Sequence, residues 1–277
     1  MKFSIVMPML NGQRFVAAAL DSILVQSHKD FEVIVMDGGS SDGSLETARA
    51  YAERDARIAV FSEPDAGIYD AVFNGFERAN GDWLAWLNTD DLYTSWSLAA
   101  VAAHARAHPA CTWLTGYPAA WDGNGRLRYA RPTGLYPQRL IKAGWFHSRL
   151  LGCIQQESTF FARRFFDQLS EDERKTIRAM RYAGDFALWR AFAHHAPLDV
   201  TPTVLAGFRR HGANLSLMDD GGAYEREAHA AGAFSPPAPI AGLLALAYRM
   251  AASWAMMRAA ARADDAFAQE LTASKPP

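Results

Sequence analysis

The stretch Trp83-Leu84-Ala85-Trp86-Leu87-Asn88-Thr89-Asp90-Asp91 decides how this chain is read. An apolar run of buried-strand length passes straight into an amide, a hydroxyl and two adjacent carboxylates. Adjacent carboxylates repel, and a fold keeps them together at a strand end only where something cationic neutralises them. A hard divalent ion, Mg²⁺ or Mn²⁺, is the natural candidate, because it takes oxygen ligands and often shares them with substrate phosphates. The competing reading is a polar turn after a strand, for which Asp and Asn are ordinary residues.

Upstream, the same strand-then-polar-loop pattern recurs. Residues 3–9 read as a strand ending at Asn11-Gly12, and 31–36 as a second strand ending in Asp37-Gly38-Gly39-Ser40-Ser41-Asp42-Gly43-Ser44. Residues 58–61 and 83–87 read as further strands, with helical spacing over 13–26, 45–54, 68–79 and 97–108. This alternation predicts an α/β fold: a Rossmann-like, mostly parallel sheet with helices on both faces. Ligands of such sheets bind beyond the carboxyl ends of the strands. Pro8 to Asn11, Asp37 to Asp42 and Asn88 to Asp91 therefore gather on one edge. Downstream the alternation weakens. Residues 112–150 read as strands and loops over a cleft, 158–170 and 176–195 as helices, 204–208 as a strand, 216–236 as a link and 237–270 as a helical extension.

Composition narrows the class. Half of the 277 residues are hydrophobic, enough for a sizeable core, and the net charge of −2 argues against a nucleic-acid partner. The two cysteines, Cys111 and Cys153, lack metal-type spacing and fit a reduced, cytoplasmic setting. The Ala-rich segment from Pro239 to Met257 reads as an amphipathic or buried helix, with peripheral contact at the inner face of a membrane as its functional alternative. Trp83, Trp86 and Trp189 lie in apolar patterns and read as core, whereas Trp121 and Trp145, in the loop-rich middle, are candidates for stacking on a ligand.

The ordered motifs resemble those of family-2 glycosyltransferases of the GT-A fold, in the subgroup with a Trp-Leu-Asn-Ser/Thr-Asp-Asp motif. They are Ser4-Ile5-Val6-Met7-Pro8 with Asn11, the Asp37 to Ser44 loop, Glu63-Pro64-Asp65-Ala66-Gly67-Ile68-Tyr69-Asp70-Ala71, and Gly81-Asp82 before Trp86 to Asp91. Later come Gln155-Gln156-Glu157-Ser158-Thr159-Phe160-Phe161, Gly184-Asp185-Phe186-Ala187-Leu188-Trp189, and Phe208-Arg209-Arg210-His211-Gly212-Ala213-Asn214-Leu215-Ser216. The resemblance divides the chain into a nucleotide-sugar-binding half (1–110), an acceptor-binding half (111–216), and a linker with a helical tail (217–277).

The resemblance also implies roles. Asp37 accepts a hydrogen bond from the nucleotide base, for which a carboxylate suits an N–H donor; the alternative is an Asx turn or a helix cap. Pro8, Asn11 and Asp65 line the nucleotide pocket, and Asn88 and Thr89 with Asp90 stand at the Asp-x-Asp position, where Asn88 replaces the first Asp and touches sugar hydroxyls. Asp90, helped by Asp91 and His211, holds Mn²⁺ or Mg²⁺ on the diphosphate. Asp185 is the general base of an inverting transfer, with a helix N-cap as its alternative. Gln156, Glu157 and Trp145 hold the donor sugar or acceptor. A basic residue often found in the helix after Asp70 is absent at Phe73-Asn74-Gly75. The implied activity is transfer from a nucleotide-sugar, with a UDP-sugar favoured, to a saccharide or lipid-linked acceptor in cell-surface polysaccharide or glycolipid synthesis. A sugar nucleotidyltransferase would want a Gly-rich basic loop in place of Asn11-Gly12-Gln13-Arg14. A non-catalytic nucleotide-sugar-binding module would not need Asp90, Asp91 and Asp185 together.

Overall fold

The structure is a computed structural model that describes residues 1–131, 135–212, 214 and 222–273, with side chains to 255. The first half alternates as the sequence implies: β1 (Phe3–Met9), α1 (Val16–Leu24), β2 (Phe31–Asp37), α2 (Ser44–Ala52), β3 (Ile58–Ser62), α3 (Ile68–Arg78), β4 (Trp83–Trp86), β5 (Leu92–Tyr93) and α4 (Ser97–Ala107). The second half contains β6 (Trp113–Thr115), β7 (Ala119–Asp122), β8 (Leu127–Ala130), α5 (Gln138–Lys142), β9 (Thr159–Ala162), α6 (Arg163–Phe166), α7 (Glu171–Arg178), α8 (Gly184–His195), β10 (Asp199–Val200) and β11 (Ala206–Arg210). Two helices close the chain, α9 (Ala223–Ala230) and α10 (Ala238–Ala273).

A seven-stranded sheet in the order β10-β6-β9-β4-β1-β2-β3 forms the centre, and β5-β11-β7-β8 form a smaller second sheet. The large sheet is parallel except for β9, which runs antiparallel to both β4 and β6. The helix expected over 158–170 is thus a correction. Thr159–Ala162 is a fully buried central strand, followed by one short helix. Its apolar run carries no period that separates a buried strand from a helix. The helix expected over 176–195 is two helices, α7 and α8, and the link expected over 216–236 contains α9, with residues 216–221 outside the described residues.

Burial explains the aromatic content. Trp86, Trp189 and Trp113 form a stacked ladder with centroids 5.5 and 5.8 Å apart, so Trp86 and Trp189 are core, as is Trp83. Arg163, at the start of α6, donates to the Ala79 and Gly81 carbonyls and so pins the turn between α3 and β4. Helix α10 lays Tyr248 against Phe146 and bonds its hydroxyl to the Leu135 carbonyl. The opposite face leaves Ile240, Leu243, Leu246, Met250 and Trp254 exposed at helical spacing. No helix among the described residues is long and apolar enough to cross a membrane.

Candidate active site

The parallel order of β4, β1 and β2 brings their carboxyl ends to one edge, and the three polar loops meet there. Asn11 adopts a left-handed backbone (φ 52°), a conformation that Asn tolerates better than most residues. Its Oδ1 accepts from the Ser41 amide at 2.9 Å, and its own amide donates to Ser40 Oγ at 2.8 Å. Gly12 stands against Thr89, where a Cβ would lie 2.8 Å from Oγ1; only glycine lets the first and fourth strand loops approach so closely. Pro8 is buried within β1.

Asp37 ends β2 and is 1% exposed. Its carboxylate accepts from the Gly39 and Ser40 amides at 3.2–3.3 Å and from Ser62 Oγ at 2.7 Å. The Asx-turn alternative is therefore realised. A carboxylate has about four lone-pair sites, so the turn leaves it able to accept one more N–H. Asp65 accepts from the Gly67 amide at 2.9 Å, and burial, with Asp70 and Asp37 nearby, pushes its carboxyl upward.

The two adjacent carboxylates of the β4 end face different ways. Asp91 is fully buried, and its Oδ1 accepts from the Arg209 amide of β11 at 2.9 Å. Asp90 is partly exposed; its Oδ2 lies 3.0 Å from His211 Nε2 and 3.1 Å from Asn214 Nδ2. Asn214 also accepts from the His211 amide and donates to the Arg209 carbonyl, fixing the end of β11. The His211 ring packs on Phe15, 4.3 Å between centroids, and the buried Arg209 guanidinium lies 5.0 Å from the same ring. Burial lowers the Arg209 pKa while Asp91 and Asp90 raise it, so a protein cation contributes to the neutralisation that the sequence assigned to a metal.

Two further carboxyl groups join this cluster, Glu157 interacting with both Asp90 and Asp185. Glu157, 3% exposed on the single 3₁₀ turn before β9, is pushed up to about 8, chiefly by burial and also by Asp185 and Asp90. Asp185 lies in the first turn of α8, and burial pushes it up to about 6 against the bonds it accepts from the Phe186 amide (2.8 Å) and the Tyr69 hydroxyl (3.3 Å). Ala183 occupies the N-cap, so Asp185 is not the cap residue of its helix. Gly184 makes the Tyr69 contact possible, since a Cβ there would lie 2.7 Å from the ring. Burial raises the Asp91 carboxyl well above its ordinary range, with Asp90 and Glu157 adding to it.

Several buried polar atoms here have no partner among the described residues: Asn88 Oδ1, Asp91 Oδ2, Glu157 Oε1 and both amide atoms of Gln156. Orphaned polar atoms are costly, and together they mark a place shaped for a polar ligand. Trp145 fits less well, because one face of its ring is stacked on Phe234 at 4.9 Å. The basic residue missing from α3 has a counterpart in Arg178 of α7, which reaches Asn74 and lies 2.8 Å from Asp70 Oδ1. Arg209, Asn214 and Tyr69 are site residues that local sequence reading did not assign. All three lie inside the motifs that carry the resemblance, but no role is read for them there.

The Asp90 and His211 donors suit a divalent ion. Adjacent ligands of an octahedral Mg²⁺ at its usual 2.0–2.1 Å stand about 3 Å apart, close to the 3.0 Å observed. Asp91 Oδ2 is a buried acceptor beside them with no partner. These three residues do not form a set of ligand atoms within 4.8 Å of one another; among the described residues that arrangement occurs at His104, Cys111 and Asp199.

A family model described as Glycosyl transferase family 2 matches residues 4–168. A PGL/p-HBAD biosynthesis glycosyltransferase of Mycobacterium bovis is 42% identical over 108 residues, covering 38% of this chain and 42% of that protein. An uncharacterized glycosyltransferase of Rickettsia typhi, RT0329, is 24% identical over 220 residues, 77% of this chain and 65% of that one. The match therefore spans about two-fifths of the first of these relatives and about two-thirds of the second. Among solved structures, S. aureus TarS in complex with UDP-GlcNAc superposes with a TM-score of 0.64 over 90% of this chain and 71% of that one, at 16% identity, which is a likeness of fold.

Proposed function

This chain belongs to glycosyl transferase family 2, and we propose that it moves a sugar, with inversion, from a nucleotide-sugar, UDP-linked by preference, to a saccharide or lipid-linked acceptor. The observation that carries this reading is a cluster of acids at the site of the Asp90–His211 pair: Asp185, held by the Tyr69 hydroxyl, and Glu157, with an oxygen unpartnered among the described residues and raised by Asp185 and Asp90. Burial raises both carboxyls, and Glu157 the further. Burial and neighbouring charge favour the protonated form of Glu157 more strongly than that of Asp185. One site then holds both a base and a hydrogen-bond donor, and separated pKa values of this kind mark such a division of labour.

In the proposed reaction the acceptor hydroxyl attacks the anomeric carbon as Asp185 takes its proton, and the bond from that carbon to the diphosphate breaks. Tyr69 orients the Asp185 carboxylate through its hydroxyl. Asn88 Oδ1 and the Gln156 amide, buried without partners among the described residues, would bind sugar hydroxyls. Neutral Glu157 donates to the sugar without adding charge. Asp90 and His211 would hold Mn²⁺ or Mg²⁺, and that ion would neutralise charge on the departing diphosphate. Arg209 keeps the acidic pair compatible with burial.

The acceptor side is supported by a cavity of about 900 Å³ beside α9 and α10, lined by Ala228, Ala241 and Ala245 together with Arg226, Arg249 and an Arg149–Glu225 ion pair. Such a lining suits an amphiphile with an anionic head. Helix α9 packs Ala228 against Ala183 and Phe186, the residues flanking the Asp185 turn. The outward apolar stripe of α10 supports peripheral contact with a membrane. Flotation with anionic liposomes is expected to carry the full chain but not a chain ending at residue 236; equal behaviour removes the membrane role.

Donor recognition is tested by UDP titration calorimetry. Asp37→Asn keeps an acceptor for the loop but exchanges a carboxylate oxygen for a donor facing the base, and should weaken UDP binding by about tenfold to a hundredfold. An unchanged dissociation constant in a normally folded variant would remove Asp37 from base recognition.

A further inference from the structure

A second cluster of ligating side chains lies away from the candidate active site. His104 sits in the last turns of α4, Cys111 two residues before β6, and Asp199 opens β10. One ligand atom from each lies within 4.8 Å of the others. We propose that His104, Cys111 and Asp199 form a zinc-binding site that staples α4 to the β6–β10 edge of the sheet.

The chemistry of the set selects the metal. A thiolate, an imidazole and a carboxylate together suit Zn²⁺, whereas Mg²⁺ and Mn²⁺ favour oxygen ligands. The separations fit as well. Tetrahedral zinc ligands at about 2.0–2.2 Å stand about 3.4 Å apart, and His104 Nε2 lies 3.3 Å from Asp199 Oδ2. That is long for a charge-assisted hydrogen bond, which runs about 2.7–2.9 Å. The Cys111 thiol is buried and donates to the Trp113 carbonyl at 3.6 Å, with the Asp199 carboxylate close enough to raise its pKa. Asp199 is 32% exposed, which leaves a solvent side for a water as fourth ligand. Binding displaces the thiol proton to solvent and leaves the thiolate on zinc.

Topology separates this site from the catalytic edge. Strand β9 is antiparallel to both β4 and β6, so β6 runs in the direction of β4. Cys111 and Asp199 lie at the amino ends of β6 and β10, while Asn88 to Asp91 follow the carboxyl end of β4. The two clusters are therefore at opposite edges of one sheet. What the staple would fix is the start of β10, only two residues long, from which the chain runs through 201–205 into β11 and the His211 loop.

The test uses the full chain stripped of metal and titrated with Co²⁺, whose bond to a thiolate gives a near-ultraviolet charge-transfer band. One equivalent of band per chain is expected, displaced by Zn²⁺, abolished in Cys111→Ser, weakened in His104→Gln, and retained in Cys153→Ser and Asp90→Ala. The last variant separates this site from the proposed catalytic metal. Absence of the band, its survival in Cys111→Ser, or its loss in Cys153→Ser overturns the proposal. Should Cys111→Ser fail to fold, an unaltered band in His104→Gln overturns it equally.

Discussion

Asp185→Asn is expected to lower transfer by about 10²–10⁴-fold, the range usually lost with a positioned general base. The replacement is nearly isosteric and keeps an oxygen to accept from the Phe186 amide, so thermal stability should change little. The wild-type pH profile carries the sign of the same claim. Asp185 acts only when ionised, and its carboxyl is pushed up to about 6, so the rate should fall tenfold per unit as pH drops below about 6. Loss of activity on the alkaline side, as the raised Glu157 carboxyl ionises, is the second limb. Removing Asp185 should abolish the acid limb in whatever activity remains. A variant with normal rate and an unchanged acid limb would transfer the base role elsewhere, with Glu157 next in place.

Asp90→Ala is the second large effect. It removes the partly exposed carboxylate that faces His211, while Asp91, its neighbour, still holds the Arg209 amide. Metal affinity should fall by at least about 100-fold, the upper end of what is lost when only the supporting partner of a ligand is removed. The apparent Mn²⁺ requirement should therefore move upward, with part of the rate recovered at high Mn²⁺. The Asp91→Ala counterpart differs in kind, since it deletes a fully buried hydrogen-bond acceptor and leaves Arg209 facing a hole. Its cost falls on stability, on the order of 1–3 kcal/mol. A rate and Mn²⁺ dependence unaffected by Asp90→Ala would contradict the diphosphate clamp.

The first half of the fold was legible because its strands and helices are local, periodic and separated by Gly- and Asp-rich loops. The strand ends then place Pro8, Asn11, Asp37, Asn88 and Asp90 on one edge without knowledge of any distant contact. The second half was not so transparent. Thr159–Ala162 reads as helix because an apolar run has no diagnostic period, yet it is held as a strand by antiparallel partners on both sides. The neutralisation of the acidic pair was similarly hidden. It depends partly on Arg209, whose amide meets Asp91 across 118 residues of sequence, and Tyr69 meets Asp185 across 116. Chemistry-bearing residues were visible one by one. Their arrangement, with Asp91 buried on the Arg209 amide, Asp90 facing His211 and Asp185 bonded to Tyr69, needed the packing of β11 and α8.

The most direct test is nucleoside diphosphate release when the full chain is incubated with a panel of nucleotide-sugars, a saccharide or lipid-linked acceptor fraction, and Mn²⁺ or a strong chelator. A family-2 transferase built as described should release nucleoside diphosphate from at least one donor, with UDP-sugars foremost, in an acceptor-stimulated reaction that stops under chelation and in Asp185→Asn. Release of pyrophosphate instead, or donor turnover that persists under full chelation, would contradict the account.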